Sequence, residues 1–133
     1  MRWLGVDPGE RRVGIAACDP EERVAVPLEV VPESAAFPAI RAIAKREGIG
    51  GVVVGLPLLL DGSEGAAARL ARRLGARIER ALDLPVAYED ERFTTVAAER
   101  EGGAGGGPRD DIAAALILQQ FIDRRKQESD ARS

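Results

Sequence analysis

The sequence predicts an α/β domain whose mixed central sheet, antiparallel at its hairpin-led start and parallel beyond, carries helices on both faces. Three observations predict it. In the second half of the chain, β-branched runs of strand length alternate with amphipathic segments of helix length, as parallel strands joined by crossover helices require. The first thirty or so residues instead hold strand-like runs parted only by short turns, the pattern of antiparallel hairpins. The composition, 45% hydrophobic and 31% charged over 133 residues, is that of one folded domain with a real core.

The elements follow in order. RWLGVD (2–7) is a buried strand whose alternation sets Leu4 and Val6 on one face and Trp3, Gly5 and Asp7 on the other. Asp7-Pro8-Gly9 turns the chain, and RRVGIAACD returns as a second strand. RVAVPLEVV is a third, antiparallel to its neighbour, and Pro27 marks it as an edge or a bulge. SAAFPAIRAIAKREG is a helix capped by Ser34, with Ile40, Ile43 and Ala44 as its apolar face and Gly48 as its stop. GGVVVGLP has the continuous apolar character of a strand covered on both sides.

LLLDGSEG is a loop, and Ser63 is placed to cap a helix over about 64–82 with Leu70, Leu74 and Ile78 as its buried stripe. LPVAYEDERFTT is a strand ending in acidic residues. Thr94 and Thr95 cap the short helix TVAAERE, and GGAGGGP is a hinge. The last helix is expected over about 110–126. Residues 1–126 thus form a single domain and 127–133 a polar C-terminal tail.

The sequence contains no histidine, which removes Ser-His and Cys-His nucleophile systems and His-ligated zinc together. The single Cys18 excludes an internal disulfide and a thiolate zinc site, and suits a reducing compartment. No apolar run is long enough to cross a bilayer and no signal-peptide pattern opens the chain, so a cytoplasmic protein without membrane partners is expected. Chemistry here must rest on carboxylates, Lys/Arg, hydroxyls or backbone amides. Carboxylates without imidazole or thiolate suit hard cations. The net charge of -3 offers no global basic field, so nucleic-acid binding would need local positive charge.

Acidic residues stand at three structural boundaries. Asp7 closes the first strand, Glu89, Asp90 and Glu91 close the VAYEDER strand, and Asp110 and Asp111 open the apolar helix IAAALILQQFI. A helix-opening Asp can also serve only as a cap. The helical wheel leaves Asp110 and Asp111 tied, because both align with apolar rows.

Taken together, GVDPGERRVGIAACD, VVGLPLLLDGSEG, DERFTT and DIAAALILQQFID resemble the YqgF/RuvX family, over about Trp3 to Asp123. Its members have an RNase H-like fold and are described as Holliday-junction resolvases or as nucleases maturing pre-16S rRNA. The resemblance implies that Asp7, the acid of DER and an acid opening the last helix are catalytic and metal-binding. The second acid falls on Glu91, with Asp90 as the alternate; strand alternation lets only one of them join Asp7. The third falls on Asp111, because the family pattern sets it three residues before the Ala114-Ala115 pair. Mg²⁺ or Mn²⁺, one or two ions, would relieve the mutual repulsion of these carboxylates.

For nucleic-acid contact the candidates are Arg11 and Arg12 after the first turn, Arg109 before the last helix, and Arg69 and Arg73. The last two belong to the stripe Arg69, Arg72, Arg73, Arg77 and Arg80, which a solvated face paired with Glu79 explains nearly as well. In GGAGGGPRD only Arg109 is basic, where family members often carry several basic residues.

The implied function is a metal-dependent nuclease acting on structured nucleic acid, most of all on the 5′ end of pre-16S rRNA, as monomer or homodimer. A Holliday-junction resolvase acting on branched DNA is the alternative and needs paired sites. A non-catalytic RNA-binding or assembly protein is the alternative of another class. The opening GVDPG also occurs in actin-like ATPases, but those bind nucleotide between two related domains and this chain has room for one.

Overall fold

The computed structural model describes residues 1–91 and 110–132. The helix expected at TVAAERE, its Thr94 and Thr95 caps, the Gly-rich hinge and Arg109 lie outside the described residues. The elements are β1 (Trp3–Pro8), β2 (Arg12–Cys18), β3 (Ala25–Pro32), a 3-10 turn (Glu33–Ala35), α1 (Ala36–Arg46), β4 (Gly51–Leu56), α2 (Ala66–Leu82), β5 (Val86–Asp90) and α3 (Asp110–Arg132). The sheet runs β3-β2-β1-β4-β5. The β1–β2 and β2–β3 pairs are antiparallel, and the β1–β4 and β4–β5 pairs are parallel. This is the mixed sheet the sequence predicts.

Alternation along β1 divides the core. Leu4 and Val6 join Ile15, Val52 and Val54 under α1 and α2, against Ile40, Ile43, Ala68, Ala71 and Ile78. Trp3 joins Ala16 and Val53 under α3, against Ala114, Ile117, Leu118 and Phe121. Trp3 and Phe121 meet edge to face at 4.8 Å. The α3 backbone comes close over β1: a Cβ at Gly5 would lie 2.9 Å from the Ala114 carbonyl oxygen.

β3 is an edge strand, and its register against β2 shifts between Ile15, opposite Glu29, and Ala16, opposite Pro27. Leu28 is therefore the extra residue of a bulge at the expected proline. Gly48, at φ +63°, stops α1 as expected.

Both serine caps are corrected. Ser34 lies inside the 3-10 turn, and α1 starts after Ala35 with no side-chain cap. The hydroxyl of Ser63 donates to Asp61 Oδ1 at 2.6 Å, closing the loop on itself, and α2 starts after Gly65. The α2 stripe is also corrected. Leu70 is exposed, Leu74 is partly buried, and Ala68, Ala71, Gly75 and Ile78 face the sheet. Small residues win here because the helix packs close: a Cβ at Gly75 would collide with the Tyr88 hydroxyl. Finally, α3 continues past 126 to Arg132, since KQESDAR contains no Gly or Pro to stop it.

Candidate active site

The first acid owes its place to β1 alternation. Asp7 shares the α3-facing side with Trp3 and Gly5 and is 2% exposed. Across the antiparallel ladder its partner is Gly14. On the parallel side, one step beyond the Val6–Val54 pair, its neighbour is Gly55, which in turn pairs with Glu89. Asp7 thus stands between two glycines on one row of the sheet.

The space above those glycines is taken by the other two acidic segments. A Cβ at Gly14 would collide with the Asp110 carbonyl and the Asp111 amide. A Cβ at Gly55 would lie 2.5 Å from Glu91 Oε1 and 2.8 Å from Ile117 Cδ1. The start of α3 therefore rests on one flank of Asp7 and Glu91 on the other. Gly14→Ala is expected to lift the start of α3 and to lower stability by about 1–3 kcal/mol, the usual cost of overpacking. Thermal denaturation checks this, and an unchanged melting temperature would refute the close approach.

Glu91 is 6% exposed, and its amide donates to the Leu56 carbonyl at 3.2 Å, which carries the β4–β5 pairing one residue past the strand end. Asp90, opposite Leu56, belongs to the other face by alternation. At the start of α3 the two aspartates part. Asp111 is buried, and its Oδ1 accepts the Ile112 amide at 2.9 Å. Asp110 is more exposed and takes Arg12, with Nε 3.4 Å from Oδ2. Asp7, Glu91 and Asp111 are three of the four buried acidic residues among those described.

As placed, no three acidic side chains among the described residues form a group able to hold a metal ion. The backbone converges, and Asp111 Oδ1 accepts the amide of the next residue of its own helix. The donor chemistry fits Mg²⁺ or Mn²⁺: buried hard oxygens in a chain without histidine.

The arginines separate. Arg11 is exposed at the hairpin tip, and its carbonyl accepts the Glu33 amide at 2.8 Å. Arg12 ties that tip to α3 through Asp110. Arg69 and Arg73 are exposed on α2, which packs on the other face of the sheet, so the fold does not bring them to the acids. The expected pairing of the stripe with Glu79 does not form; the ion pair seen is Arg72 with Glu64 at 2.6 Å.

Sequence reasoning missed the role of Glu89. It is 1% exposed, shares the α3-facing side with Glu91, and pairs with Arg124 Nη2 at 2.6 Å. Gln120 Nε2 also donates to it, at 2.5 Å. The available signal was the period-two spacing of Glu89 and Glu91, matched by Gln120 and Arg124 at i, i+4 on one helix face.

A mixed sheet with a hairpin-led start, and a long helix whose acidic first turn lies over Gly14 of β2 beside Asp7, place the fold in the RNase H-like class. The chain belongs to the RuvX family, whose model, described as Holliday junction resolvase, matches residues 1–124. A relative from Anaeromyxobacter sp. (strain Fw109-5), named "Putative pre-16S rRNA nuclease", is 45% identical over 102 residues, 74% of each chain. One of the same name from Maridesulfovibrio salexigens is 39% identical over 104 residues, 76% of this chain and 77% of that one. Among solved structures, T. thermophilus RuvC in complex with a Holliday junction substrate is similar at a TM-score of 0.58, with 20% identity over 96% of each chain. The fowlpox virus Holliday junction resolvase reaches 0.53 with 11% identity, over 93% of this chain and 99% of that one. At such identities the two structures show the shared fold.

Proposed function

We propose that the chain is a metal-dependent nuclease that hydrolyses phosphodiester bonds at the 5′ end of pre-16S rRNA in the cytoplasm. The observation that carries this reading is the glycine-flanked Asp7, with Glu91 over one neighbour and the start of α3 over the other. Relatives named as pre-16S rRNA nucleases support the substrate. Among the described residues no helix is long and apolar enough to cross a membrane.

Asp7, Glu91 and, after rotation off the Ile112 amide, Asp111 would hold the ion. When bound there, one or two divalent cations would supply an activated water, orientation of the scissile phosphate and stabilisation of the leaving oxygen. The chain's own part is placement. The two glycines let three chain segments meet, and burial keeps bulk water from screening the acids. The Arg12–Asp110 pair holds the hairpin against α3. Arg11 at the hairpin tip, with Arg109, would bind backbone phosphates as the strand enters.

The test is incubation of a pre-16S rRNA 5′ fragment and a four-way DNA junction with Mg²⁺, with Mn²⁺ and with chelator. We expect RNA cleavage with either metal and none with chelator. Cleavage that survives chelation overturns the mechanism. Faster cutting of the junction, the reading that the family description favours, overturns the substrate. Binding without cutting points to the non-catalytic assembly protein.

A further inference from the structure

The α2 arginines carry more positive charge than the active site uses. Arg72 is already neutralised by Glu64 and lies 4.9 Å from the Tyr88 ring centroid. Arg73, Arg77 and Arg80 are different. With Ala76 and Ala81 they line one shallow depression of about 450 Å³, and none of the three makes an ion pair among the described residues. Arg77 lies over the Phe37 ring at 4.0 Å, which fixes the plane of its guanidinium in advance of any ligand. Ala76 and Ala81 leave a low floor that an extended backbone can approach. Glu79 and Asp83 line a separate depression with Leu84, Pro85 and Val86, off the arginine row. Arg77 also borders a second groove with Glu10 and Glu33, yet none of the three arginines is ion-paired among the described residues. In a protein of net charge -3, three exposed cations on one helix face focus a local positive field.

Position decides what could sit there. α2 covers the sheet face opposite the acids, and the loop 57–65 joins its first turn to the end of β4 beside Gly55. A chain leaving Asp7 would cross that loop and then run along α2. The steps from Arg73 to Arg77 and from Arg77 to Arg80 are four and three residues, offsets of about 6 and about 4.5 Å along the helix axis. Both are of the same order as the step between phosphates of an extended strand. A duplex is stiff over about 150 base pairs and does not turn round the edge of one sheet, whereas a single strand does.

We propose that Arg73, Arg77 and Arg80 bind the phosphate backbone of a single-stranded extension of the nucleic-acid substrate, on the face of the sheet opposite the three acids. This rests on the nuclease reading for the identity of the ligand, so the test is read as binding, in chelator, without cleavage. Arg73→Ala/Arg80→Ala leaves Arg77 on Phe37 and removes two exposed side chains, and far-UV circular dichroism confirms the fold.

Fluorescence anisotropy is measured across a salt series with two RNAs. One is a hairpin carrying a single-stranded extension of about ten nucleotides, within the span of known single-strand sites; the other is the same hairpin with a blunt end. Two lost phosphate contacts are expected to reduce the log–log salt slope for the extended RNA by about 1.4 and to weaken binding about tenfold at low salt, with the blunt hairpin unaffected. Arg73→Lys/Arg80→Lys should keep the wild-type slope. An unchanged slope for the extended RNA, or equal weakening for both RNAs, overturns the proposal. Loss of poly-glutamate binding with RNA binding intact also overturns it and assigns the groove to an acidic protein. A wild type that binds the extended RNA in this way but never cuts would sink the nuclease reading and leave the groove standing.

Discussion

Asp7→Asn is expected to abolish metal-dependent cleavage while leaving the fold intact. Asn keeps the shape of the side chain and removes the charge that a cation needs. The site has no histidine or thiolate to substitute as a ligand. Loss of an outer partner of a metal ligand costs about 10–100-fold, so loss of a central ligand should exceed that. The Asn side chain has the same shape as Asp, so far-UV circular dichroism of the variant should match wild type. Added Mg²⁺ should raise the melting temperature of wild type and not of the variant, because a ligand that binds the folded state alone stabilises it. Single-turnover cleavage beside a melting series checks both parts. Cleavage within a few-fold of wild type would remove Asp7 from the mechanism.

The second large effect concerns Glu89 and Arg124, the pair that pins α3 to β5. Arg124→Ala leaves a carboxylate that is 1% exposed with Gln120 alone among its two partners on α3. Breaking a fully buried pair from one side costs about 3–5 kcal/mol. Arg124 is itself half exposed, so about 2 kcal/mol is the expected loss here, read from urea denaturation. Glu89→Gln/Arg124→Ala should recover most of it, because no uncompensated charge then stays buried. If the single and double variants were equally unstable, the loss would come from packing and not from charge. Glu91 lies two residues further along, just past the end of β5, so a loosened α3 should also lower cleavage.

Much of this architecture was readable because its causes are local. Strand alternation places Trp3, Gly5 and Asp7 on one side before any fold is known. A proline marks the bulge in β3, and a glycine at φ +63° stops α1. The errors share a cause as well. Ser34 and Ser63 have the chemistry of caps, but Ser34 falls inside a 3-10 turn and Asp61 takes the Ser63 hydroxyl. Leu70 fits an apolar stripe, yet close approach to Tyr88 turned the small-residue side of α2 inward.

Composition alone narrowed the chemistry open to this chain: with no histidine and one cysteine, it rests on carboxylates, Lys/Arg, hydroxyls or backbone amides. Residue order settled on which side of β1 the first acid stands. Packing settled the partners. Asp110 and Asp111 are equivalent on a helical wheel, and they part only where Arg12 from a distant hairpin takes the one and the sheet buries the other. Glu89 becomes an anchor only because Arg124 arrives 35 residues later in sequence. Side-chain alternation follows from bond geometry within a few residues. Which charges meet depends on how separate segments stack, and no local pattern encodes that.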